Sequence, residues 1–140
     1  MADWKAIGNA LHTFLAGESD ITDLVETYQT KPSIFVGLAA PGAKAPYISL
    51  HYIGISADDT HDSRGEKAVY QVNAFAYKLS EAIDILSKVN TKLHWQTVSN
   101  IAGYYSLSAR RCSDANELDL EDDEELFGMT ADYEITVQEV

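Results

Sequence analysis

Residues 67–77, KAVYQVNAFAY, alternate so regularly that an extended strand is the economical way to fold them. Val69, Gln71, Asn73, Phe75 and Tyr77 fall on one side, and Tyr70, Val72, Ala74 and Ala76 on the other. Residues 128–139, GMTADYEITVQE, keep the same period. There Met129, Ala131, Tyr133, Ile135 and Val137 oppose Thr130, Asp132, Glu134 and Thr136. Residues 47–55 do likewise, with Ile48, Leu50 and Tyr52 against Tyr47, Ser49, His51 and Ile53. Strands of this kind need a second layer to cover their apolar faces.

Segments of helical period supply that layer. Trp4, Ile7, Leu11, Phe14 and Leu15 predict an amphipathic helix over residues 3–16, with Asp3 as N-cap and Gly17 as stop. Ser80 is expected to cap a second helix whose apolar face is Ala82, Ile83, Leu86, Val89 and Leu93. Residues 19–25 read as a short helical turn with acids near its positive end. Ile34–Val36, between Pro32 and Gly37, reads as a brief strand, and residues 101–112 as a strand of mixed polarity. The order is helix, strands, helix, strands. It implies an α+β fold, a mainly antiparallel β-sheet with two main helices packed on one face, formed by residues 1–140 as a single domain. The opposite sheet face carries Tyr, Ser, Thr, His and Asn. It is neither a core nor a plain solvent face, and it suggests contact with another subunit.

The connections carry no recognisable catalytic or ligand-binding motif. Residues 40–45, APGAKA, lack both phosphate-loop glycine patterns and lead into a strand, so they read as a hinge with Pro46–Tyr47 starting the strand. Residues 56–66, SADDTHDSRGE, form a polar loop or an extended hairpin arm. Asp58, Asp59, His61 and Asp62 are metal-ligand types there, but without EF-hand spacing or HExxH. His12, His51, His61 and His94 share no zinc spacing, and no GxSxG elbow occurs. No catalytic residue, cofactor or metal is expected. Cys112 is the only cysteine, which excludes an internal disulfide, suits a reducing compartment and reads as a small buried residue. No stretch approaches the ~20 apolar residues of a membrane span, and the N-terminal segment does not read as a signal peptide.

Charge is the other strong signal. The net charge is −12. Residues 1–111 hold 11 acids and 10 bases, whereas residues 112–140 hold 11 acids and no base. Such an excess argues against a direct grip on nucleic acid, which needs clustered Lys and Arg. The acids concentrate in residues 114–125, where Leu118 and Leu120 interrupt them, with Leu126 and Phe127 just beyond. That segment is expected to be an acidic loop, either solvated or docking a basic partner.

Together these stretches resemble the tail terminator (tail completion, or tail-to-head joining) proteins of long-tailed bacteriophages and related gene-transfer particles. The resemblance rests on AIGNALHTFLAGESDITDLV at the start and on IFVGLAAPGAKAPYISL with its small-residue hinge. VYQVNAFAYKLSEAIDILSKVNTKL and the closing MTADYEITVQEV complete it. It implies a structural virion protein without enzymatic activity, forming a ring, typically of six subunits. The ring would sit on the last ring of tail-tube protein at the head-proximal end of the tail. It would stop tube growth and meet the head connector while DNA passes through its centre. Assembly would take place in the host cytoplasm, with no membrane. The segment ELDLEDDEELFG is longer and more acidic than that family leads one to expect.

Contacts are then expected from Asp58, Asp59, His61 and Arg64 in the first polar segment. Glu117, Asp119, Asp122, Asp123 and Glu124 are expected to contribute from the acidic one, and Tyr47, His51, Gln71 and Asn73 from the sheet face. Rival readings are a head-completion or neck adaptor protein, an acidic inhibitor-type binding module, and a small enzyme with a pocket cluster of His, Asp or Cys.

Overall fold

The computed structural model describes residues 4–60, 63–94, 104–111, 116–118 and 126–139. Helix α1, Trp4–Ala16, forms because Ile7, Leu11 and Leu15 recur on one stripe, and all three are fully buried. It stops at Gly17, whose N–H still donates to the Thr13 carbonyl at 3.1 Å. A short helix α2, Ser19–Thr22, buries Ile21. Strands β1, Thr27–Tyr28, and β2, Lys31–Pro32, form a small hairpin. Its turn residues Gln29 and Thr30 have φ of 48° and 68°, the left-handed pair that a two-residue hairpin turn requires.

The main sheet follows. Its strands are β3 (Ile34–Val36), β4 (Tyr47–Thr60), β5 (Ser63–Ala76), β6 (Tyr104–Arg111), β7 (Asn116–Leu118) and β8 (Phe127–Glu139), with helix α3 (Leu79–Leu93) between β5 and β6. The order across the sheet is β3-β4-β5-β8-β6, with β7 paired to β8. Only β3 and β4 run parallel; the other pairs are antiparallel.

Register explains where the core sits. Ile48, Ala74 and Met129 share a row, as do Leu50, Val72 and Ala131, then Tyr52, Tyr70 and Tyr133. These rows face the helices. Helix α1 lies against β3, β4 and β5, and α3 against β5, β8 and β6, so both main helices cover one sheet face as the sequence pattern predicts. On α3 the buried stripe is Ala82, Ile85, Leu86, Val89 and Leu93. Lys92 ties this helix to α2 through Asp20 at 3.2 Å and Glu18 at 3.8 Å. These half-exposed pairs contribute about 0–1 kcal/mol.

Three local expectations are corrected. Ser80 is not the N-cap of α3: the cap is Lys78, in extended geometry, whose carbonyl accepts from Glu81 and Ala82. The helix starts early because the apolar stripe, not a side-chain cap, fixes its phase. Ile83 is exposed and Ile85 takes its place in the core, since residue 83 lies about 100° around the helix from Ala82. Finally, part of the expected acidic loop is ordered as β7, where Leu118 pairs with Gly128 and Asn116 with Thr130. The residues 56–66 resolve in favour of the hairpin arm, with β4 and β5 paired out to Thr60 and Ser63.

Gly8 is where the helix layer touches the sheet most tightly. A Cβ there would lie 3.0 Å from the Tyr70 hydroxyl and 3.3 Å from its ring, and Tyr70 is fully buried and cannot swing away. Gly8→Ala is therefore expected to lower the thermal midpoint, against a helix-propensity gain of about 1 kcal/mol. Gly8→Leu is expected to cost about 1–3 kcal/mol or more by overpacking, read from urea unfolding.

Tyr133 links β8 to α3 by donating to Asn90 Oδ1 at 3.1 Å. Burial pushes its phenol up to about 12, against a smaller downward pull from the Arg111 guanidinium. The unfolded chain loses this proton near pH 10 and the folded chain holds it longer, so the unfolded state binds fewer protons and stability falls as pH rises from about 10 to 12. Tyr133→Phe should lose about 1 kcal/mol at pH 8. It should also show a shallower loss of stability between pH 10 and 12 than the parent, measured by urea unfolding at each pH.

Candidate assembly interface

The described parts of the two polar segments, residues 56–60 and 63–66 on one side and Asn116–Leu118 on the other, lie toward opposite ends of the sheet. The arm carries Asp58 and Asp59 on β4, paired in register with Gly65 and Arg64 on β5. His61 and Asp62 lie outside the described residues. At the other end the chain leaves β7 at Leu118 and returns at Phe127, whose register partner is Ala76 at the end of β5. Glu117 is a β7 residue opposite Met129. Asp119, Asp122, Asp123 and Glu124 lie outside the described residues. Strand β5 is 14 residues long, so the two ends are separated by about 40 Å.

The sheet face away from the helices has an ordered layout. Tyr28, Phe35, Tyr47 and Phe75 form an aromatic row, with successive ring centroids 5.9, 6.2 and 4.9 Å apart. Next comes a polar row, Ser49, Asn73, Thr130 and Asn116, and then His51, Gln71 and Asp132. Asn73 is only 4% exposed, and its amide donates to Ser49 Oγ at 3.4 Å and to Gln71 Oε1 at 3.3 Å. Asn73 therefore braces the sheet from within, while Tyr47, His51 and Gln71 remain partly open. Buried Asn73 Oδ1 and Thr130 Oγ1 have no hydrogen-bond partner. Such groups destabilise a lone subunit.

The hinge residues pack onto the chain. Tyr28 donates to the Pro41 carbonyl at 3.2 Å, the Glu26 N–H donates to the Pro46 carbonyl at 2.8 Å, and Ala45 is buried. Beside the hinge is an open groove of about 390 Å³ with Pro46, Leu24 and Ile85 in its lining. Asp23, Glu26, Glu81 and Asp84 also line it. These carboxylates lie beside the end of β5, and no expectation from sequence placed them together. Two separate segments supply them, the stretch after α2 and helix α3, so no local spacing could have revealed the whole cluster.

Sequence reasoning also missed an apolar patch. Leu38 is 88% exposed, Ile53 53% and Val36 41%. Val36 pairs with Leu50, and the Gly37 N–H donates to the Leu50 carbonyl, which carries the chain along β4 to the residue before Leu38. The only signal in the sequence was a leucine standing alone in a small-residue linker. Among the described residues, no group of three or more His, Cys, Asp or Glu is placed to hold a metal ion.

A family model described as tail completion protein gp17 matches residues 9–138. The chain belongs to that family. It is thus a phage tail-completion protein, a structural component of the particle, in keeping with the resemblance read from its sequence. A chain of the virion of a native gene transfer agent particle shares the fold, with a TM-score of 0.79 and 14% identity over 96% of each chain. A second solved chain, named only by a sequence identifier, superposes with a TM-score of 0.54 and 14% identity over 95% of each. No curated protein matches. At 14% identity the fold persists while surface residues are free to change, so these surfaces must be read from this tail-completion chain itself.

The partnerless Thr130 hydroxyl gives a direct test of how the polar face is used. Thr130→Val is expected to stabilise the isolated subunit by about 1 kcal/mol in urea unfolding, because it deletes a buried group that makes no bond. A loss of stability would mean that the hydroxyl is satisfied in solution.

Proposed function

We propose that this tail-completion protein acts as a single domain in a homo-oligomeric ring, a hexamer, that caps the tail tube. The ring ends tube elongation and offers its other side to the head connector, with DNA passing through the lumen. The mechanism is geometric and has no catalytic step. The observation that supports this reading is the placement of the β4–β5 arm and of β7 toward opposite ends of the sheet. A joining protein needs two separate contact surfaces, one facing each neighbour.

Charge gives the two ends different partners. The groove carboxylates gather at the hinge end, which favours a basic surface there. The arm end carries Arg64 beside Asp59 and is more balanced. Asp58, Asp59, His61 and Arg64 are proposed contacts at the arm end. Glu117, Asp119, Asp122, Asp123 and Glu124 are proposed contacts at the other, and Tyr47, His51 and Gln71 border the subunit seam. Asn73 supports that seam from within the sheet. A net charge of −12 keeps passing DNA from being held.

Light scattering across a concentration series, alone and with tail-tube protein, tests the ring. A ring-sized species on tube ends is expected, and a strict monomer that ignores tube ends at every concentration overturns the reading. Two variants test the division of surfaces. Neutralising Asp122, Asp123 and Glu124 should weaken one of the two dockings, tube or connector, by about tenfold or more and spare the other. Replacing residues 58–64 by a short Gly-Ser turn should do the converse. Loss of both dockings in both variants would refute the two-ended arrangement.

A further inference from the structure

Among the described residues the main sheet has two edges with no partner strand, and register places them at the same level. Arg111 shares a row with Tyr133, Tyr70 and Tyr52. Arg110 follows with Glu134, Val69 and Gly54, and Ser108 with Thr136, Lys67 and Ser56. Strand β6, 8 residues long, thus forms one edge of the sheet over the rows that run from Tyr52 to the arm. Over those same rows the outer edge of β4 pairs with no strand among the described residues, because β3 ends at Val36 opposite Leu50. Below them both sides are closed, by β3 on β4 and by β7 on β8.

Strand direction alternates through β4, β5, β8 and β6. A second copy that continues the sheet with the same face outward therefore brings its β6 antiparallel to β4, with no break in the alternation. The contact is head-to-tail, using a different edge on each subunit, which is the kind that closes into a ring. Beside the β4 edge lies the exposed patch of Val36, Leu38 and Ile53, which supplies apolar area where backbone pairing begins.

We propose that residues 53–60 of β4 receive the β6 strand of a second copy of this chain, so that one sheet runs from subunit to subunit. This deepens the ring reading and rests on it. The apolar patch makes the seam dependent on Leu38, and a level junction sets Ser56 opposite Ser108 of the neighbour.

Disulfide trapping tests the seam. In a Cys112→Ser background, Ser56→Cys and Ser108→Cys are made as separate single variants, with Gly54→Cys and Ser106→Cys covering a shifted register. The variants are oxidised in the presence of tail-tube protein, and ring formation is followed by light scattering in the same samples. Opposed residues of an antiparallel pair lie about 4.5–5.5 Å apart at Cα, within disulfide reach. Cross-linked dimers are expected only when a β4 variant is mixed with a β6 variant. Leu38→Asp, at a side chain with little burial to lose, should raise the concentration needed for ring formation by about tenfold or more while leaving the thermal midpoint unchanged. Rings that form without any β4–β6 cross-link overturn the seam and leave the ring reading standing. Dimers from a β4 variant alone also overturn it, in favour of a two-fold contact. If no ring forms, with or without tube ends, the ring reading itself fails.

Discussion

Everything in this fold hangs on the apolar face of β5. Tyr70, Val72, Ala74 and Ala76 are fully buried, and each has a register partner on β4, on β8 or on both. The small residues Ala68 and Ala74 let helices approach, while Tyr70 fills the space that Gly8 leaves on α1. Fully burying a Val or Leu side chain contributes about 1.5–3 kcal/mol. The rows that cross β5 hold many such groups, so its alternation fixes both the register of the sheet and the seats of the helices. A slip by one residue would exchange this face for Gln71, Asn73 and Phe75.

The face exchanged in such a slip is already unusual. Asn73 and Ser49 are buried on the side away from the helices, and Asn73 Oδ1 and Thr130 Oγ1 lack partners. A chain selected only for subunit stability would place Val or Thr pairs there, whose side chains meet well across strands. The polar row instead divides an aromatic row from a partly open one. The division prevents the second face from becoming a continuous apolar surface, which would promote indiscriminate stacking.

Much of this was legible in the sequence, for a physical reason. Alternation in residues 67–77 and 128–139 is a local signal, and it gave the strands, their core faces and the two-layer arrangement. The second helix is legible too, but its spacing alone favours Ile83 over Ile85, because the buried stripe of α3 is defined by what it packs on and not by the helix alone. Ser80 looked like a cap because caps are read from residue type, whereas the backbone of Lys78 turns first. The strand β7 escaped because three residues in an acidic segment carry no period of their own, and their pairing to β8 is decided at the tertiary level. Of the candidate contacts, the ends to which the two polar segments belong follow from chain order once the strands are known. The groove carboxylates and the Leu38 patch do not, since each brings together residues from separate elements.

Free edges at one level pose a hazard as well as an opportunity. An unpaired strand edge invites uncontrolled pairing, and charged residues along it are a common defence. Here β4 carries Asp58 and Asp59 on its open stretch, and the whole chain carries −12. Two copies in solution begin to repel once their charges approach within about 8 Å, the screening length at physiological salt, while edge pairing acts only at contact. Repulsion is thus long-ranged and weak, and pairing short-ranged and directional. A tube end that holds neighbouring copies side by side supplies the contact distance at which pairing prevails. In the proposed ring, the same acids that set the chain's charge then restrict assembly to the place where a template overcomes it.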